Sequence, residues 1–165
     1  MSDADAVDLI HLEDADGDHC TVRVTGPFRP SGPTGHEVLR AEVLAHTDFL
    51  DARLEFHLDR RDLDAWQDAL DGLAAGRGAV IGGDRGLSMA LQPQEDRSLA
   101  VTIDDPDRLT TMLWIRPPED WADEHRDRLE RLRRTWPGDV PGTATVTGEG
   151  HAAGEEPRPV RNRGG

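Results

Sequence analysis

The chain has no lysine, no tyrosine and a single cysteine among its 165 residues. Each absence closes off a chemistry. Without lysine there is no Schiff-base amine and no P-loop ammonium to hold a nucleotide phosphate. Without tyrosine there is no phenolic acid or base. Cys20 alone allows neither an intramolecular disulfide nor a multi-cysteine zinc site. It stands in the alternating run Cys20-Thr21-Val22-Arg23-Val24 and reads as a small, buried side chain on a strand. No apolar run approaches the roughly 20 residues of a membrane-spanning helix. Met1 to Asp8 is acidic and lacks the basic, then apolar, pattern of a signal peptide. The expectation is a cytoplasmic protein with no membrane contact.

Positive charge is also scarce. Nineteen arginines face 33 acids, for a net charge of -14. From Pro137 onward there are four acids and three arginines, which leaves 29 acids against 16 arginines before it. A domain this acidic repels phosphate backbones and anionic membranes, so no nucleic-acid binding is expected. A basic protein is its natural electrostatic complement. The plainer alternative is that the acidity serves only solubility.

What is present is periodicity. Leu50, Ala52, Leu54, Phe56 and Leu58 alternate with Asp51, Arg53, Glu55 and His57, the pattern of a half-buried strand. Leu63, Trp66, Leu70 and Leu73 then recur at helical spacing, which predicts a helix over residues 60–75. Asp59 is its candidate N-cap, and Gly76 stands where it should end. A similar strand-then-helix unit spans Thr111 to Trp136. Its helix opens at Pro117-Pro118, carries acids early and arginines late, and has Trp121, His125, Leu129, Leu132 and Trp136 on one face. The two units match only with offsets of 57 to 59 residues, so they share a pattern and are not a sequence repeat.

Further strands are predicted at Val7–Leu12, Cys20–Thr25, Glu37–His46, Ala79–Ile81, Leu87–Gln92, Ser98–Asp104 and Leu109–Ile115. Asp16-Gly17 marks a hairpin turn between the first two. Residues 26–35 read as a long Pro/Gly loop. The fold class is α+β: a mostly antiparallel sheet of six to eight strands with two amphipathic helices packed on it. A single domain spans residues 7–136, between a disordered N-terminus (1–6) and a disordered tail (137–165) whose composition shows no periodicity.

Several short motifs imitate sites and fail on spacing. Asp14, Asp16 and Asp18 suggest a calcium loop, but His19 stands where glycine is needed and Thr25 where glutamate is needed. Gly86-Leu87-Ser88-Met89-Ala90 imitates a nucleophile elbow, but no helix follows Ser88. The loop Gly82-Gly83-Asp84-Arg85-Gly86 lacks phosphate-loop spacing and leads into a strand. The histidines show no metal-ligand spacing. No catalytic residue, cofactor or metal site is therefore assigned. The candidate partner-contact residues are Asp51, Arg53, Glu55 and His57, which share one strand face, together with Trp114. Trp114 alternates with Leu113 and Ile115 and so points to the opposite side of the sheet from them. A helix is expected to cover it; exposed, it would mark a contact patch.

Asp8-Leu9-Ile10-His11-Leu12, Val38-Leu39-Arg40-Ala41-Glu42-Val43, Asp62-Leu63-Asp64-Ala65-Trp66, Gly82-Gly83-Asp84-Arg85-Gly86 and Asp104-Asp105-Pro106-Asp107-Arg108-Leu109 together resemble an uncharacterised actinobacterial family of small proteins, over about residues 7–140. More distantly, the order of strands, helix, strands and a helix ending in Trp136-Pro137 is similar to the WapI-type immunity proteins. That similarity implies binding and neutralisation of a toxin domain, and it transfers no individual residue. The resulting expectation is a non-enzymatic module that docks an acidic face onto a basic protein partner. Two readings stand beside it. One is an enzyme or small-ligand binder with a site under the 26–35 loop, where His36, Glu37, His57 and Asp84 would act. The other is a structural domain with an acidic, solvated surface.

Overall fold

The computed structural model describes residues 6–31, 37–83 and 86–138. Among these the chain forms β1 (Val7–Glu13), β2 (His19–Phe28), β3 (Val38–Thr47), β4 (Leu50–Leu58), α1 (Arg60–Ala74), β5 (Ala79–Gly82), β6 (Ser88–Pro93), β7 (Leu99–Asp105), β8 (Leu109–Ile115) and α2 (Trp121–Thr135). Both halves thus run four strands and a helix. The shared strand-then-helix pattern extends to the whole unit, although the sequences do not align as repeats.

The eight strands do not form the single sheet expected from the sequence. They make two antiparallel meanders, in the order β1-β2-β3-β4 and β5-β6-β7-β8. The reason is the apolar side of each meander, which needs a cover. Cys20 of β2 lies 3.7 Å from the Met89 sulfur of β6, so the two inner faces meet. Val22, Val43, Leu54 and Leu58 from one sheet join Leu91, Val101, Ile103 and Ile115 from the other in one core. Burial pushes the Cys20 thiol up to about 12, so it is an inert core group.

The helices are exchanged between halves. α1, from the first half, lies against β5, while α2, from the second, lies against β1, and the two helices touch. The Asp59 carboxylate accepts the Asp62 N–H and the Asp62 carboxylate accepts the Asp59 N–H, a reciprocal cap on α1. Leu63, Trp66, Leu70 and Leu73 are its buried face, as their spacing predicts. α2 starts later than expected, at Trp121. Pro118 forces Pro117 out of helical geometry, and the Trp121 N–H instead closes a turn onto the Pro118 carbonyl.

One loop also differs from expectation. Gly26, Pro27 and Phe28 belong to β2 and pair with Arg40, Leu39 and Val38, past a bulge at Val24/Gly26 where Gly26 has φ 146°. The connection between β2 and β3 is shorter than the ten residues expected. The 14–18 turn is an Asx turn, with the Asp14 carboxylate accepting the N–H groups of Asp16 and Asp18. The expected disordered segments fall almost wholly on residues 1–5 and 139–165, outside the described ones. No described helix is long and apolar enough to cross a membrane.

Candidate functional site

Asp51, Arg53, Glu55 and His57 do share one face, the solvent side of β4, and all four are exposed. Strand pairing places them beside the outward residues of β3: Asp51 opposite His46, Arg53 opposite Leu44, Glu55 opposite Glu42 and His57 opposite Arg40. The Arg53 guanidinium reaches diagonally to the buried Glu42 carboxylate at 2.6 Å. His46 lies 3.7 Å from the Asp51 carboxylate and stacks on His19. His57 rests against the Phe28 ring. The stripe is therefore partly neutralised, and the Glu55 carboxylate is its one acid without an ion pair among the described residues.

Trp114 is not covered by a helix. It is 60 % exposed on β8, which belongs to the other sheet. The structure does not bring it together with the four β4 residues; each group lies on the solvent side of its own sheet.

Glu55 and His57 instead border a cleft of about 390 Å³. Its other walls are Asp62 from the first turn of α1, Gly82, Gly83, Gly86 and Leu87 from the β5–β6 connection, and Asp105, Asp107 and Arg108 from the β7–β8 turn. Turn chemistry builds that last wall. The buried Asp105 carboxylate accepts the Asp107 N–H at 3.2 Å and the Arg108 Nε–H at 2.8 Å, and the Arg108 N–H returns to the Asp105 carbonyl. Arg108 also reaches the Glu55 carbonyl, tying the turn to the free edge of β4. Among the described residues, four carboxylates and one guanidinium line the cleft. Asp62 is engaged in the helix cap and Asp105 in its turn. Glu55 and Asp107 remain as exposed acceptors with no ion pair among the described residues, and a cationic group is what they can hold.

Glycine is required at the opposite wall. Gly82 (φ 75°) and Gly83 (φ 109°) both occupy the left-handed region. A Cβ on Gly82 would stand 2.7 Å from the Leu87 carbonyl oxygen, which is backbone and cannot move aside alone. Gly82→Ala is expected to destabilise the domain by about 1–3 kcal/mol, read as a shift in urea midpoint. An unshifted midpoint would mean that the connection relaxes freely.

The cleft was missed by sequence reasoning, although a signal existed. In a four-strand meander the first and third connections lie at the same end. Gly82–Gly86 and Asp104–Leu109 hold those two connections of the second sheet, so their glycines and acids had to be neighbours. Three of the five segments quoted for the family resemblance meet here.

The site under the 26–35 loop is not assembled in the described residues. His36 and Asp84 lie outside them. Glu37 pairs with Arg29 and lines a recess of only about 120 Å³ with Val38, Leu58, Leu63 and Trp136, well under the roughly 300 Å³ at which small-molecule pockets begin. His57 is not among the residues around it.

The chain belongs to a family of unknown function (DUF5959), whose profile matches residues 7–137. No curated protein and no solved structure matches it.

Proposed function

We propose that this member of the family is a non-enzymatic binding module that docks a basic protein partner at the β4 face and the adjoining acidic cleft. The observation that carries the reading is the cleft itself. It is concave; among the described residues it is lined by four carboxylates against one guanidinium, and its rim acids Glu55 and Asp107 are exposed and without an ion pair. A partner arginine or lysine seated there would meet two charge-assisted acceptors at once. The net charge of -14 adds long-range attraction for a cationic surface. Neutralisation of that partner, in the manner of an immunity protein, is the finer form of the proposal and is supported by the order of strands and helices alone.

Affinity purification from native cell extract, read by mass spectrometry, tests this when run at about 50 mM and about 300 mM salt, on either side of physiological screening. The wild-type chain is expected to retain a basic protein at low salt and lose it at high salt. The exposed double substitution E55K/D107K is expected to weaken retention at low salt at least tenfold with an unchanged melting temperature. Equal retention by the double variant would sink the cleft as the docking point. No partner at either salt would sink the binding reading as a whole.

A further inference from the structure

The two sheets have four edges, and three are guarded. Along β1 the His11 N–H donates to His125 Nε2 at 2.9 Å, and the Asp8 carbonyl accepts from Arg128, so α2 occupies that edge. β5 is four residues long and lies against α1. β4 presents Asp51, Arg53, Glu55 and His57, and charge deters a second strand. β8 has no such device. Its seven residues, Leu109-Thr110-Thr111-Met112-Leu113-Trp114-Ile115, include no charge, no proline and no glycine, and among the described residues it pairs only with β7. Met112 is 45 % and Trp114 60 % exposed. The apolar surface continues inward from them: Met112 lies opposite Thr102, then Ala90, then the exposed Val80, and Trp114 lies opposite Ala100. An uncharged, unguarded edge beside an apolar sheet face is a template for strand addition.

We propose that the strand it receives is β8 of a second copy, paired antiparallel about Met112 to join two four-stranded sheets into one of eight. The edge is self-complementary about that point. Full overlap of the seven residues puts Leu109 opposite Ile115, Thr110 opposite Trp114, and Met112 opposite its own counterpart. Leu109, Thr111, Leu113 and Ile115 then continue the inner layer across the seam, and Thr110, Met112 and Trp114 continue the outer one. The charged ends fit as well. Arg108 is held by Asp105 at 2.6 Å and Arg116 by Asp96 at 3.1 Å. The overlap brings these two pairs together at each end of the seam, so neither arginine meets an uncompensated like charge. A foreign strand chosen for its charge finds nothing in β8 to read. The wider acidity is screened over about 8 Å at physiological salt, so self-association strengthens as salt rises, opposite in sign to docking of a basic partner. One strand pair buries less than the roughly 800 Å² per partner of a tight interface, and the dimer is accordingly weak and reversible.

Met112→Cys tests the pairing directly. Residues facing one another across an antiparallel pair have Cα atoms about 4.5–5.5 Å apart, inside the range of about 4.4–6.8 Å that a disulfide spans. Cys20 is buried and inert, so the new thiol reports alone. Under mild oxidation M112C is expected to form a covalent dimer of twice 18.2 kDa, while T110C or W114C alone forms several-fold less, because neither faces its own counterpart. In sedimentation equilibrium the wild type is expected to move toward the dimer mass with concentration and salt, and M112K to stay at 18.2 kDa with its melting temperature unchanged. Crosslinking of residue 110 as readily as residue 112 would overturn the register. A wild type that remains monomeric at every salt would overturn the dimer and leave β8 to a strand from another protein.

Discussion

Acidification from pH 6.5 to pH 4 is expected to cost the native state roughly 3 kcal/mol through His125 alone. His125 is fully buried on α2, and its ring is held neutral. Nδ1–H donates to the Trp121 carbonyl at 2.5 Å, and Nε2 accepts the His11 N–H at 2.9 Å. Its pKa is lowered from 6.5 to about 4, chiefly by burial and with help from the nearby Arg128 guanidinium, against the hydrogen bond to Trp121 and the Glu124 carboxylate, which favour the charged ring. The unfolded chain takes up the proton near 6.5 and the folded chain only near 4. Between those values the unfolded state binds more protons, so stability falls as pH falls and is unaffected by this group above pH 6.5. His125→Gln keeps an acceptor for the His11 N–H and cannot titrate. It is expected to lose about 1–2 kcal/mol at neutral pH through lost packing against Trp66 and Trp121. Its urea midpoint should then decline much less than that of the wild type between pH 6.5 and 4.5. Parallel declines would show that His125 is not the acid-labile group.

The contrast between what periodicity revealed and what it hid is physical. Alternation along 50–58 and helical spacing along 63–73 are local consequences of burying one side of an element, so they placed β4 and α1 almost to the residue. His125 was legible as part of the apolar face of α2. Its seat was not, because its acceptor role is set by a backbone N–H 114 residues earlier in the chain. The division into two sheets was hidden for a related reason. Each strand shows which of its sides is apolar, but not whether the cover is a helix or another sheet. Trp114 shows the same limit: alternation correctly set it opposite Leu113, and only the three-dimensional arrangement decided that solvent covers that side. The cleft residues were visible as turn formers. Their convergence followed from meander order, which strand spacing leaves open.

Trp66→Ala is expected to destabilise the domain by about 3–5 kcal/mol, a large part of the roughly 5–15 kcal/mol available to a typical domain. Trp66 is wholly buried at the centre of α1, with its ring edge-on to His125. It heads the largest buried side chains in a core that joins both sheets and both helices. The cavity left by its removal would open where the exchanged helices meet. The indole also carries a cost. Its Nε1–H is buried and has no hydrogen-bond partner among the described residues, a burden of about 1–3 kcal/mol. Trp66→Phe removes that orphan donor along with part of the ring, so the two effects oppose each other and the net loss is expected to stay below about 1.5 kcal/mol. The alanine and phenylalanine variants together separate volume from polarity. Denaturant midpoints that fall equally for both would show that the N–H finds an acceptor in solution, and that this part of the indole, rather than its bulk, holds α1 against α2.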